Sequence, residues 1–225
     1  AWFSANKPAK GTNILLCQDI NLNYKPWTPI DLGNGAYFNG NGHMVSGVYN
    51  NPSSNYAGLF SVANNGTVIA NLSTDGIMFS KNFAGGIVSS ITNSEVKNCA
   101  SFATIISDKR AGGIVGLSVN SKIHGCTFEG TVEGENAGGI CGGGYITEVS
   151  YCANKGDVDG INAAGIMGGS SSAAYNGKTY VYASYNLGNI TGTAVSGIAM
   201  DAANEEGCYT TGLLTSSDVS KSAYI

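Results

Sequence analysis

Five carboxylates fall within one short stretch of the chain: Glu129, Glu133, Glu135, Asp157 and Asp159. Two carboxylates at a controlled separation can cleave a glycosidic bond, one as acid and the other as base or nucleophile. Clustered carboxylates can also hold Ca²⁺, which takes oxygen ligands only. Neither arrangement is completed by the surrounding sequence. The histidines are His43 and His124, and neither stands in a His-Glu-x-x-His motif; no Gly-x-Ser-x-Gly elbow is present. Six cysteines (Cys17, Cys99, Cys126, Cys141, Cys152 and Cys208) include no Cys-x-x-Cys pair, so zinc or thioredoxin-like spacing is missing. The run Gly138–Gly144 is rich in glycine, but no Lys-Ser/Thr follows it to make a phosphate loop. No catalytic residue, metal ligand or cofactor is assigned from these motifs. A different chemistry is offered by Tyr175, Tyr180 and Tyr182, which stand with Tyr185 between Gly168 and Asn186. Exposed rings stack on sugars, and Asn and Lys nearby suit a glycan. The competing reading is a tyrosine-rich hairpin packed on itself. In a strand, Tyr180 and Tyr182 share one face and Val181 points to the other.

A repeat positions these residues. Ala57-Gly58-Leu59-Phe60 returns as Ala84-Gly85-Gly86-Ile87, Ala111-Gly112-Gly113-Ile114 and Ala137-Gly138-Gly139-Ile140. It continues as Ala163-Ala164-Gly165-Ile166 and Val195-Ser196-Gly197-Ile198, in steps of 27, 27, 26, 26 and 32 residues. Leu72, Cys99, Cys126 and Cys152 keep the same beat. So do Ile69, Val96, Ile123 and Val149, and Met78, Ile105, Val132 and Val158. The apolar stretches are short, β-branched and alternating, with Gly and Asn between them, which is a strand signature. Each unit cannot bury its own apolar face, so units must stack. The expectation is all-β: a right-handed parallel β-helix, or β-solenoid, of about eight coils of 26–27 residues. At about 4.8 Å per coil it would be roughly 40 Å long. One domain spans 1–225, with coils over 14–212 and caps or linkers at 1–13 and 213–225.

Register then assigns surroundings. The glycine pair of each repeat should make a tight corner or close backbone approach, with the following Ile inward. Cys99, Cys126 and Cys152 form one inward ladder, and Cys141 fills the slot of Val88, Val115 and Met167, as small core hydrophobes do. Packed thiols are expected; a disulfide between neighbouring rungs is the alternative, within the permitted Cα spacing. Glu133 stacks under Asp159, which is unfavourable unless the pair is solvated or bridged by a cation. Glu129 stacks under Lys155 as an ion pair. His124, beside the inward Ile123, points outward.

Composition agrees. Glycine supplies 33 of 225 residues and charged residues only 12%, while 43% are hydrophobic, enough for a packed core. The net charge is −4 with scattered basic residues, which argues against a nucleic-acid surface. No apolar run reaches the ~20 residues of a membrane-spanning helix. The chain opens at Ala1 without an initiator Met, as a processed or excised segment would.

The stretch from Cys17 to Asp31, then Tyr37–Tyr49, Tyr56–Phe60, Val68–Gly76 and the Ala-Gly-Gly-Ile coils resemble the GLUG-type repeat family over roughly Ile14 to Gly212. The resemblance implies a right-handed parallel β-helix in large secreted or surface-attached bacterial proteins, among them adhesins, some IgA-cleaving metallopeptidases and dockerin-bearing proteins. It implies no catalytic motif. The expected function is a non-catalytic extracellular module serving in adhesion, glycan binding or spacing. A glycan or a host or cell-wall surface, and neighbouring domains of the same polypeptide, are the expected partners of a monomer. The alternative is a carbohydrate-active enzyme, a polysaccharide lyase or glycoside hydrolase, on the same scaffold.

Overall fold

In the computed structural model, residues 7–169, 179–200 and 204–218 are described. They form an all-β solenoid in which the strand pairs are parallel and each coil lies on the next. Three faces run along it. The first holds eight stacked strands, from Asn13–Leu15 through Glu95–Lys97, Lys122–His124, Glu148–Ser150 and Tyr180–Tyr182 to Asn204–Glu206. Eight rungs enclose seven intervals, so the coil makes about seven turns. The second face carries the longest strands, including Thr104–Gly112, Thr131–Gly138 and Asp157–Ala164. The third includes Phe60–Asn64, Val88–Thr92 and Val115–Val119.

The apolar registers of the sequence become inward columns. Ile69, Val96, Ile123, Val149 and Val181 are stacked partners on the first face, and all are fully buried. Met78, Ile105, Val132, Val158 and Ile190 do the same on the second. Cys141 pairs with Val115 below and Met167 above, in the slot its register assigns. Cys99, Cys126 and Cys152 are buried and unbridged, and the other three cysteines are unbridged as well. Each ladder thiol donates to the carbonyl two residues before it, at 3.3–3.4 Å. Burial, reinforced by its two stacked neighbours, pushes the Cys126 thiol well above its ordinary range. Burial pushes Cys141 up to about 12.

The repeated glycine pair stands at the corner between the second and third faces. A Cβ on its first member (Gly85, Gly112, Gly138) would run into the backbone of its own corner and of the next rung. A Cβ on its second member would strike a side chain arriving from across the coil: Ser101 at Gly86, Phe128 at Gly113, Asn154 at Gly139, Asn186 at Gly165 and Thr210 at Gly197. Those opposing residues are one stacked column. The glycines therefore make room for a mostly polar inner ladder. In it Asn154 donates to the Asn186 side-chain oxygen at 2.7 Å and to Gly156 O at 2.9 Å, and accepts from Gly156 N–H at 3.0 Å. Buried polar groups are tolerable only when paired in this way.

Two other corners require a left-handed backbone. Between the third and first faces the positions are Gly35, Asn65, Asn93, Asn120 and Ile146, with φ from +45° to +68°. Between the first and second they include Asn71, Asn98, Gly125, Tyr151, Ala183 and Gly207, with φ from +47° to +63°. Asn and Gly tolerate this conformation, and a β-branched residue there is an outlier. Asn65, Asn93 and Asn120 also join hands: each amide donates to the Asn one rung below, beginning at Asn34, at 2.5–3.0 Å.

Candidate functional site

Two outward surfaces bring functional side chains together. The first lies on the second face. Ile106, Glu133, Asp159, Thr191 and Thr215 stack in one column, and the Glu133–Asp159 neighbour relation read from the repeat is present. A glycine column, Gly134, Gly160 and Gly192, runs beside it. The resulting open groove has a volume of about 650 Å³ and also takes in Asp108 and Glu135. Outside the groove the expected cross-coil pair is formed, with Lys155 Nζ 2.6 Å from Glu129 Oε1. That contact holds the exposed Lys155 ammonium above its usual range. Among the described residues no three or more His, Cys, Asp or Glu side chains are placed to hold a metal ion.

The second surface lies on the first face and contains two of the three tyrosines singled out by sequence. Alternation places Tyr180 and Tyr182 outward while Val181 is fully buried between them. Tyr180 is 46% exposed. Tyr182 is half-buried, and its hydroxyl donates to Glu148 Oε1 at 2.7 Å. That hydrogen bond, with some burial, raises the phenol above its usual range. Tyr175 lies outside the described residues. Tyr151, which sequence reasoning missed, joins the group. It is 61% exposed and meets Tyr182 edge-on at a centroid distance of 6.1 Å. On its other side it meets His124 edge-on at 5.2 Å. The His124 ring is outward, with Nδ1 3.0 Å from Ser150 Oγ.

Two ion pairs lie on the rungs below Tyr180. Lys97 contacts Glu95 at 3.0 Å, and Lys122 lies 3.5 Å from Glu148. Next to Tyr180 is a hollow of about 190 Å³ bounded by Asn120, Lys122, Ile146 and Glu148. Ile146 stands in the register that Asn65, Asn93 and Asn120 occupy in the earlier coils, at φ +52° and 38% exposed. A non-glycine residue in the left-handed region costs about 1–2 kcal/mol. Both Ile146 and Tyr151 were legible as departures from registers that, Ala183 apart, are otherwise Asn or Gly.

The arrangement is a parallel β-solenoid carrying a ring-bearing outer face and an acidic groove. No family model matches the chain, and no curated protein does. Its fold is shared with solved structures. One is the crystal structure of a "putative immunoglobulin A1 protease" from Bacteroides ovatus, with 19% identity, a TM-score of 0.71, and coverage of 92% of this chain and 71% of that one. Another is named IgA1 protease, with 17% identity, a TM-score of 0.61, and coverage of 87% of this chain but 17% of that one. At these identities the likeness establishes the fold alone.

Proposed function

We propose that the solenoid is a non-catalytic extracellular module of a larger bacterial protein, which spaces neighbouring domains and attaches to glycans. The observation that carries this reading is the cluster of Tyr180, Tyr151 and Tyr182 on one outer face, with ring surface left open beside amide and paired ionic groups. A ring contributes about 0.5–1.5 kcal/mol beyond its buried area when it stacks. Two or three such contacts give only weak affinity, so useful attachment depends on many copies. The fold neighbours support modularity: in one of them a solenoid like this matches 17% of a longer chain. The resemblance to secreted, surface-attached repeat proteins supports the extracellular assignment. A glycan array with the 225-residue chain is the direct test, and binding to none of the glycans would reject it.

The second reading, a carbohydrate-active enzyme, is favoured by one feature, the groove with Glu133 stacked on Asp159. Turnover screens against pectins, xylans, mucin glycans and host proteins, immunoglobulin A1 included, separate the two. Turnover abolished by Glu133→Gln or Asp159→Asn would replace the module reading with the enzyme one.

A further inference from the structure

The hollow beside Tyr180 is one end of a longer feature. A shallow trough of about 600 Å³ runs along the corner between the third and first faces, and it shares Asn120, Ser121 and Lys122 with that hollow. One wall is the upper part of the asparagine ladder, Asn93 and Asn120, with Gly66 on the rung below them. The other is the outward column Val68, Glu95, Lys122, Glu148 and Tyr180, one residue per rung over five rungs. The trough therefore runs parallel to the solenoid axis, with its rungs about 4.8 Å apart.

That chemistry is specific in kind. The floor hydroxyls are already used: Ser94 and Ser121 donate to Thr92 O and Val119 O at 2.7–2.9 Å. The ladder amides are half used. Each asparagine spends one N–H on the rung below, and every amide nitrogen has a second N–H. Asn120 ends the ladder, because the next rung offers Ile146 in place of an amide. Its side-chain oxygen thus accepts no bond from another ladder residue. The ionic groups of the wall are compensated, Glu95 by Lys97 and Lys122 by Glu148. A surface of regularly spaced amides and neutralised ion pairs suits a neutral polyhydroxylated polymer, and it would leave a strongly charged one without counter-charge.

We infer that the trough binds an extended neutral glycan of equatorially linked (β-1,4) pyranose rings, lying along the solenoid axis and ending on Tyr180 and Ile146. In such a chain each ring advances by close to one rung, so two successive rings would meet the equivalent amides of Asn93 and Asn120. An α-1,4 chain curls away from a straight trough. One rung below Tyr180 the ladder is broken, and an apolar side chain is held in a strained conformation beside the hollow that the Tyr180 ring also lines. Strain of this sort is kept where the surroundings over-determine it, as at ligand clamps. Ile146 and Tyr180 together present apolar surface to the face of the terminal sugar, while Asn120 and Lys122 reach its hydroxyls.

This inference rests on the glycan-binding reading above, and titration calorimetry of the 225-residue chain can separate the two. The probes are cello-, xylo- and chito-oligosaccharides of two to six rings, malto-oligosaccharides of equal length, and an oligogalacturonate. Affinity for at least one β-1,4 series is expected to rise with length up to about five rings, the number of rungs in the wall. Tyr180→Ala and Asn120→Ala should each weaken the longest ligand by about tenfold or more. Glu129→Gln, outside both the trough and the acidic groove, should leave binding unchanged. Preference for maltose or galacturonate chains, affinity independent of length, or full binding by both variants would overturn the trough while leaving a glycan-binding module in place. Binding to none of the ligands, together with an empty glycan array, would remove both. The length series uses the unaltered chain and so decides even if a variant fails to fold.

Discussion

The inner asparagine ladder allows one energetic test of how the coils are held together. Asn154 is fully buried and makes three hydrogen bonds, two with Gly156 and one with Asn186. Asn154→Ala removes one partner from each. Gly156 N–H, Gly156 C=O and the Asn186 side-chain oxygen would remain in the interior, the last still able to adjust about its own side chain. A buried group stranded in this way costs about 1–3 kcal/mol, far more than the net worth of an average hydrogen bond. Three such groups at the low end give about 3 kcal/mol, and a water entering the vacated space would return part of that. The expected loss is therefore about 2–4 kcal/mol. Asn82 provides the internal control. It makes the same rung-to-rung bond, to Asn55 at 3.0 Å, but its acceptor is exposed. There water replaces the lost partner, so Asn82→Ala should cost less than about 1 kcal/mol. Urea denaturation followed by far-UV circular dichroism measures both, through midpoint shifts at constant slope. Equal losses in the two variants would show that burial is not what gives the inner ladder its weight, and the reasoning would fail.

Other outcomes follow from the same packing. Cys126→Val should cost less than about 1.5 kcal/mol in that assay, because it replaces one small apolar side chain in the column by another. Alkylation of the native protein should label the exposed Cys17 first and spare the four buried thiols, whereas denaturing, non-reducing conditions should label all six by intact mass; fewer would reveal a bridge. Acid should expose Asp19, whose carboxylate accepts from Met44 N–H and lies 3.0 Å from His43 Nδ1, contacts that lower it from its ordinary 3.8. A depressed carboxyl stabilises the fold above its unfolded value and loses that contribution as pH falls through its folded value. Asp19→Asn should therefore lower Tm more at pH 7 than at acid pH, with the difference shrinking as pH falls below 3.8, and a difference that stays constant through that descent would refute the assignment.

The sequence disclosed most about what points inward. A side chain inside the solenoid must match the one above and below it, so Ile123, Val149 and Cys152 repeat in type as well as spacing. The column of thiols is nonetheless longer than the sequence revealed. Ser184 and Cys208 continue it: Cys152 N–H donates to Ser184 Oγ at 3.0 Å, and Cys208 Sγ lies 3.5 Å from Val181 O. These two were hidden because the step lengthens to 32 residues and then shortens to 24, while the stacking stays in register. The Glu129–Lys155 pair was readable because both residues occupy one column. The Tyr182–Glu148 bond was not, because it crosses diagonally between columns on adjacent rungs. The second glycine of each corner was readable as a close approach, but not what approaches it. The opposing Ser101, Phe128 and Asn154 share volume constraints rather than a residue type.

Outward positions obey the opposite rule, and that is why the binding surface is found through exceptions. Solvent imposes no match between rungs, so an exposed column such as Val68, Glu95, Lys122, Glu148 and Tyr180 carries no period in type. The left-handed corners are the exception among exposed positions. Their backbone demands Asn or Gly, so a different residue there is conspicuous even though it faces water. Asn at position 146 would relieve the strained φ and give Asn120 a ladder partner above it. Ile forgoes both and keeps apolar surface beside Tyr180. Tyr151 forgoes the same relief at the other corner and brings its ring against Tyr182 and His124. Two departures from the same backbone rule, at opposite ends of the strand Glu148–Ser150, frame the rung on which the glycan proposal rests.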